Sequence, residues 1–184
     1  GASGNRIRIG SKRITNGGDE ADIAIAFNEQ VLLGRVTAGE LKPDCIILLE
    51  SVWAESPDPK IAAQYRETLD RLLADGYRVH EVPMESECRK LVADPRKGKN
   101  MFVLGMLCNI YNLDMDLARD QIAFIFGKKA EKVIKSNVAL LEAGHAWAEH
   151  NLDIGFRVPA VRATEPQLVI NGNTAIALGV LASG

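Results

Sequence analysis

The run Cys45-Ile46-Ile47-Leu48-Leu49 constrains this chain more than any other stretch. A strand with one wet face alternates apolar and polar residues. An unbroken apolar run of strand length suits a strand covered on both faces, the condition of a parallel sheet between helices. The neighbouring patterns agree. Asp22 to Phe27 (D-I-A-I-A-F) reads as a strand and Glu29 to Val36 as a short helix. A second helix is signalled by Ser56 as cap and Pro57 in the first turn, and by a stripe of Ile61, Tyr65, Leu69, Leu72 and Leu73. Gly76 closes that helix, and Arg78 to Pro83 reads as the next strand. Residues 22–83 therefore alternate strand and helix, which predicts an α/β fold with a parallel sheet in three layers.

The second half reads as helical. Lys99 to Tyr111 is apolar on nearly every side, which predicts a buried helix, and Asp116 to Phe126 is another. Lys128 to His150 is long and amphipathic, with Val133, Ile134, Val138 and Leu141 facing inward and Glu131 able to pair with Lys135. The ends look cut. Asn5 to Gly10 alternates like a strand, yet no strand precedes it to pair with. Residues 155–167 carry Pro159 and Pro166 and read as a linker. Leu168 to Ile170 then reads as a short strand, Asn171-Gly172-Asn173 as a turn or cap, and Thr174 to Ser183 as a buried helix.

The chemistry in the residues is sparse. At 184 residues with a formal charge of −2, the chain has no basic excess to recommend nucleic acid or a membrane surface as partner. No apolar run reaches membrane-spanning length. Cys45, Cys88 and Cys108 form no CxxC pair and read as buried free thiols, suited to a reducing cytoplasm. No metal site is expected: His145 and His150 are five residues apart, the wrong spacing for two ligands on one helix face. No nucleophile elbow, dinucleotide fingerprint or Walker motif is present, and Gly17-Gly18 reads as a plain turn. Asp114 or Asp116 reads as a helix cap before an acid–base pair, and Glu85/Glu87 offers no better case. No catalytic residue is therefore assigned.

The most suggestive stretch is Asp94-Pro95-Arg96-Lys97-Gly98-Lys99-Asn100, just before the buried helix. A helix N-terminus with cations beside it attracts an anion such as a phosphate, a CoA diphosphate or a partner's carboxylate. The plainer alternative is a solvated basic loop. A second cluster, Arg6, Arg8, Lys12 and Arg13, faces outward on the first strand region, with solvation as its default reading. On its residues alone, the chain is a binding or structural α/β domain.

A resemblance extends this reading. Lys99-Asn100-Met101-Phe102-Val103-Leu104-Gly105, then Phe126-Gly127-Lys128-Lys129, Asn137 and Gly144, resemble the gamma domain of the 2-oxoacid:ferredoxin oxidoreductases. The tail Asn171-Gly172-Asn173-Thr174-Ala175-Ile176-Ala177-Leu178-Gly179 is similar to the start of their alpha domain. The order matches fused gamma/alpha subunits, and the 2-oxoglutarate type best. The resemblance implies a gamma-type α/β domain over 1–154, a linker over 155–167, and the start of a domain binding the pyrimidine of thiamine diphosphate over 168–184. The family's opening strand and glycine-rich turn have no counterpart here, which leaves a sheet edge open to pairing between chains.

The parent enzyme would convert a 2-oxoacid, CoA and oxidised ferredoxin to acyl-CoA, carbon dioxide and reduced ferredoxin. It would use thiamine diphosphate, magnesium and iron–sulfur clusters, none of them held by this stretch alone. Its partners would be a beta subunit and, through the complex, ferredoxin, in an oligomer of the heteromer. This stretch would be scaffold and interface, with Arg96, Lys97 and Lys99 contacting CoA or a partner subunit. The rival readings are a non-catalytic α/β interaction module and a flavodoxin-like nucleotide binder, the latter weakened by the lack of a phosphate loop.

Overall fold

A computed structural model of the chain describes residues 4–12, 14, 16–156 and 170–184. Three strands form a parallel sheet in the order β1-β2-β3: β1 (Ala21–Ala26), β2 (Leu41–Glu50) and β3 (Arg78–Val82). The run that predicted a sandwiched strand lies in the centre, and its alternate residues point into two different cores. Ile46 and Leu48 pack with Val82, Met84, Phe102, Met106 and Leu140. Cys45, Ile47 and Leu49 pack with Leu32, Tyr65 and Leu72. Helices α1 (Glu29–Thr37) and α2 (Pro59–Ala74) cover the second face. Helices α3 (Met84–Arg89), α4 (Lys99–Ile110) and α6 (Glu131–Asn151) cover the first. The result is the three-layer α/β arrangement expected, and α5 (Met115–Phe126) leans on α4 and α6 through a third cluster around Cys108, Ile122 and Leu141.

The crossing of α4 and α6 holds the helical layer together. A Cβ at Gly105 would lie 1.9 Å from the Leu141 carbonyl oxygen, and one at Gly144 would lie 1.9 Å from that of Phe102. Each glycine admits the other helix's backbone at a distance no side chain permits. Phe102 and Trp147 then meet across the crossing, with ring centroids 6.4 Å apart.

Several expectations are corrected. Asn5 to Gly10 is irregular, with Ile7 and Ile9 exposed; alternation without a partner ladder does not make a strand, and β1 remains an edge strand among the described residues. Arg6 there bonds the Gly18 carbonyl at 2.7 Å and Glu40 at 2.6 Å. The cap of α2 is Asp58 with Pro59 behind it, not Ser56 with Pro57; Ser56 instead accepts the Asp58 N–H. A 3-10 turn at Ser51–Glu55 delays the helix start by that much. Gly76 does close α2, at φ +86°. Val133 is exposed rather than inward, while Asn137, Leu140, Leu141, Gly144 and Ala148 form the buried stripe. Asp114 caps α5, accepting the N–H groups of Asp116 and Leu117.

After α6 the chain still packs: Phe156 stacks on Tyr111 at 5.3 Å and donates its N–H to the Ile110 carbonyl. The remainder of the stretch read as a linker, Leu168 and Val169 of the short strand, and Arg13 of the second basic cluster lie outside the described residues. Helix α7 (Gly172–Ser183) is capped by Asn171 but is exposed along its whole length, not buried as its composition suggested.

Candidate functional site

The carboxyl ends of parallel strands are where α/β proteins place ligands. Here that end carries a buried charge. Glu50, the last residue of β2, is fully buried. Its carboxylate accepts the N–H of Val52 at 3.2 Å and of Glu85 at 3.1 Å, and lies 2.9 Å from Lys99 Nζ. Glu85, in the first turn of α3, lies 2.9 Å from the same ammonium and accepts a 2.6 Å bond from Arg89. Lys99 opens α4 and points back into this pair. Burial opposes its charge, yet the hydrogen bonds to Glu50 and Glu85 outweigh burial and hold its pKa above the ordinary lysine value. Arg89 first, then Lys99, holds the Glu85 carboxyl below the usual carboxylate range. Two carboxylates thus face two cations, and strand β2, helix α3 and helix α4 are joined by charge.

The expected anion contacts divide at this point. Lys99 spends its ammonium on Glu50 and Glu85. Arg96 and Lys97 lie on a 3-10 turn, Pro95–Lys97, capped by Asp94, and their side chains are 83% and 86% exposed. Asp94 binds Arg96 at 3.0 Å and Lys97 at 3.7 Å. Arg96 and Lys97 are therefore neighbours with their heads in solvent, and Lys99 is turned away from them.

That turn borders a groove of about 330 Å³ toward the start of α6. Val92, Val133 and Leu140 form its floor, and Lys97 and Lys132 stand at its rim. A larger groove, about 540 Å³, runs along the open edge of β1 between α1 and residues 4–7. Glu50 is the functional candidate that sequence reasoning missed. Its signal was available: a carboxylate directly after an apolar run must be buried with the strand, and a buried charge needs a partner.

The thiols do not fit an iron–sulfur cluster. Cys45, Cys88 and Cys108 are free and buried, each in a different apolar cluster. Among the described residues no group of three His, Cys, Asp or Glu is placed to hold a metal ion, and no helix is long and apolar enough to cross a membrane.

Comparison with known proteins accounts for this architecture. The family model described as pyruvate ferredoxin/flavodoxin oxidoreductase matches residues 1–147. The chain belongs to this family. Among curated relatives, the 2-oxoglutarate oxidoreductase subunit KorA of Mycobacterium tuberculosis is 27% identical over all of this chain and 29% of its own length. The ketoisovalerate oxidoreductase subunit VorA of Methanothermobacter marburgensis is 29% identical over 79% of this chain and 26% of its own. The chain thus spans between a quarter and a third of the relatives it matches. A solved 2-oxoglutarate:ferredoxin oxidoreductase from Magnetococcus marinus, with 2-oxoglutarate, coenzyme A and succinyl-CoA bound, superposes with a TM-score of 0.72 at 23% identity. It covers 95% of this chain and 28% of that one, and it confirms the fold of this family member.

Proposed function

We propose that this chain is the gamma-type unit of a cytoplasmic 2-oxoacid:ferredoxin oxidoreductase acting on 2-oxoglutarate. The observation that carries the reading is the likeness to KorA along the whole chain, within a family match over residues 1–147. Residues 1–154 form the gamma domain, 155–167 the linker and 168–184 the first residues of the alpha domain. Thiamine diphosphate, magnesium and the iron–sulfur clusters belong to other parts of the assembly and supply the decarboxylation and electron transfer. A beta subunit and ferredoxin are its partners, in an oligomer of the heteromer.

The unit's own contribution is positional. The Glu50–Lys99–Glu85 triad ties the end of the sheet to α4, and the α4–α6 crossing makes a stiff layer behind it. From that frame the Pro95–Lys97 turn presents Arg96 and Lys97 to an anionic group, a CoA phosphate or a subunit's carboxylate, with Lys99 holding the turn in place from beneath. Charge reversal of Arg96 and Lys97 together, leaving the buried Lys99 in place, raises the KM for CoA or weakens subunit assembly. If both quantities are unchanged, the anion role is wrong. The enzymatic reading is tested with the full-length protein co-purified with its subunits. Viologen reduction is followed with CoA and, in turn, 2-oxoglutarate, pyruvate, 2-oxoisovalerate and indolepyruvate. CoA-dependent reduction with 2-oxoglutarate supports it; reduction with another oxoacid alone overturns the substrate.

A further inference from the structure

The groove between the Pro95–Lys97 turn and α6 has a chemistry of its own. Its floor is apolar, formed by Val92, Val133 and Leu140. Gly98 belongs to this floor: a Cβ there would lie 2.7 Å from Leu140, so the turn sits directly against the leucine. Two side-chain donors inside are bonded within α6, Asn137 to the Val133 carbonyl and Ser136 to that of Lys132. The lining also carries charge. Lys97 and Lys132 line it, with Lys128 and Lys129 exposed just before Lys132. Asp94, the acid in the lining, is committed to Arg96 and Lys97, and Glu131 to Lys135 at 2.7 Å. Lys128, Lys129 and Lys132 have no carboxylate within ion-pair distance among the described residues. In a chain whose formal charge is −2, this corner is locally basic.

We propose that this groove docks an acidic segment of a partner protein chain, which lays one aliphatic side chain on Val92 and Val133, above the buried Leu140, and sets carboxylates against Lys97 and Lys132. The inference rests on the reading of Arg96 and Lys97 as anion contacts and names their ligand. Charge complementarity at a rim selects and steers a partner, while the apolar floor gives it register. A free phosphate uses only the first of these, and the cations that line the groove come from two separate elements, the Pro95–Lys97 turn and α6.

The test uses the full-length protein purified with its subunits and a carbodiimide, which joins a lysine to a carboxylate only when they touch. The expected result is cross-links from Lys97 or Lys132 to an Asp or Glu adjacent to an aliphatic residue in another chain. In the double variant Lys97→Glu/Lys132→Glu these cross-links vanish and the association weakens by about tenfold. Three results overturn the proposal: no cross-link from either lysine while the touching pair Lys135 and Glu131 is joined; unchanged association in the double variant; or protection of both lysines by CoA or inorganic pyrophosphate and not by the partner. Viologen reduction is measured on the same preparation. Absent cross-links in an active preparation sink this inference alone. Cross-links in a preparation inactive toward every 2-oxoacid sink the enzymatic reading instead.

Discussion

Replacing Gly144 by alanine tests the packing argument at its tightest point. The added Cβ would meet the Phe102 carbonyl oxygen at 1.9 Å, its carbon at 2.7 Å and its Cα at 3.0 Å. Close C–H···O contacts settle near 3.3–3.6 Å, so the helices must part by roughly 1.4 Å or more at this point. A gap of that size forfeits much of the dispersion energy between facing side chains. Those at risk are Phe102, Met106, Leu140 and Leu141, all buried at or beside the crossing. Overpacking of this kind costs about 3 kcal/mol or more at its severe end, and the better helix propensity of alanine returns about 1 kcal/mol. The net loss is about 2 kcal/mol or more. Gly105→Ala, whose Cβ meets the Leu141 carbonyl oxygen at 1.9 Å, behaves the same way. Gly34→Ala is the control: it lies inside α1 with nothing within 4 Å of the new Cβ, and gains about 0.5–1 kcal/mol. Urea unfolding followed by far-UV circular dichroism gives the free energies, and Trp147 fluorescence in a Trp53→Phe background reports the crossing itself. Gly144→Ala and Gly105→Ala within about 0.5 kcal/mol of the parent would refute the close approach, since that is the scatter of an indifferent surface change.

Other outcomes follow from the charges and thiols. Lys99→Met leaves Glu50 buried beside Glu85 without a counter-ion and costs about 3–5 kcal/mol in the same urea assay. The pH dependence has a fixed sign. Glu85 is depressed below its ordinary 4.5, so its contribution is present above that value and is lost as pH falls through the lower folded pKa. Lys99 is raised above 10.5, so its contribution is present below that value and is lost as pH climbs through the raised pKa. In the Lys99→Met variant the alkaline limb that Lys99 supplies is gone, while part of the acid limb persists because Arg89 still pairs with Glu85. Asp114→Ala removes the cap of α5 and costs about 1 kcal/mol, read from the same unfolding curves. Burial pushes the Cys45 and Cys88 thiols up to about 11, so neither reacts with a thiol reagent at pH 8 until the chain unfolds; rapid native labelling of either would contradict their burial.

The residues announced the sheet more clearly than the site. Periodicity in Asp22–Phe27 and the unbroken Cys45–Leu49 run gave parallel strands because burial on both faces leaves no polar position to hide. It failed at Asn5–Gly10 because a strand is defined by its neighbour, which no local pattern supplies. It placed the α2 cap two residues early because Ser56-Pro57 and Asp58-Pro59 are equally good signals, and only the 3-10 turn at Ser51–Glu55 decides between them. Val133 shows a related limit, since several stripes of α6 are apolar and the one that faces α4 is fixed by Gly144. The basic turn was legible as a cluster of cations. That Lys99 points inward was not, because its partners lie at the ends of β2 and α3, 49 and 14 residues away in sequence. Gly105 and Gly144 were visible as members of a family pattern. Their reciprocal contact requires the register of two helices that the sequence does not state.

The central claim is that this chain is the gamma-type frame of a 2-oxoglutarate-oxidising assembly. It is tested most directly by incubating the full-length protein and its co-purified subunits with 2-oxoglutarate, CoA and oxidised ferredoxin, and measuring succinyl-CoA by mass spectrometry. The account predicts succinyl-CoA in proportion to ferredoxin reduced, with none when CoA or ferredoxin is left out. A folded, cluster-loaded assembly that forms no succinyl-CoA from 2-oxoglutarate would contradict it.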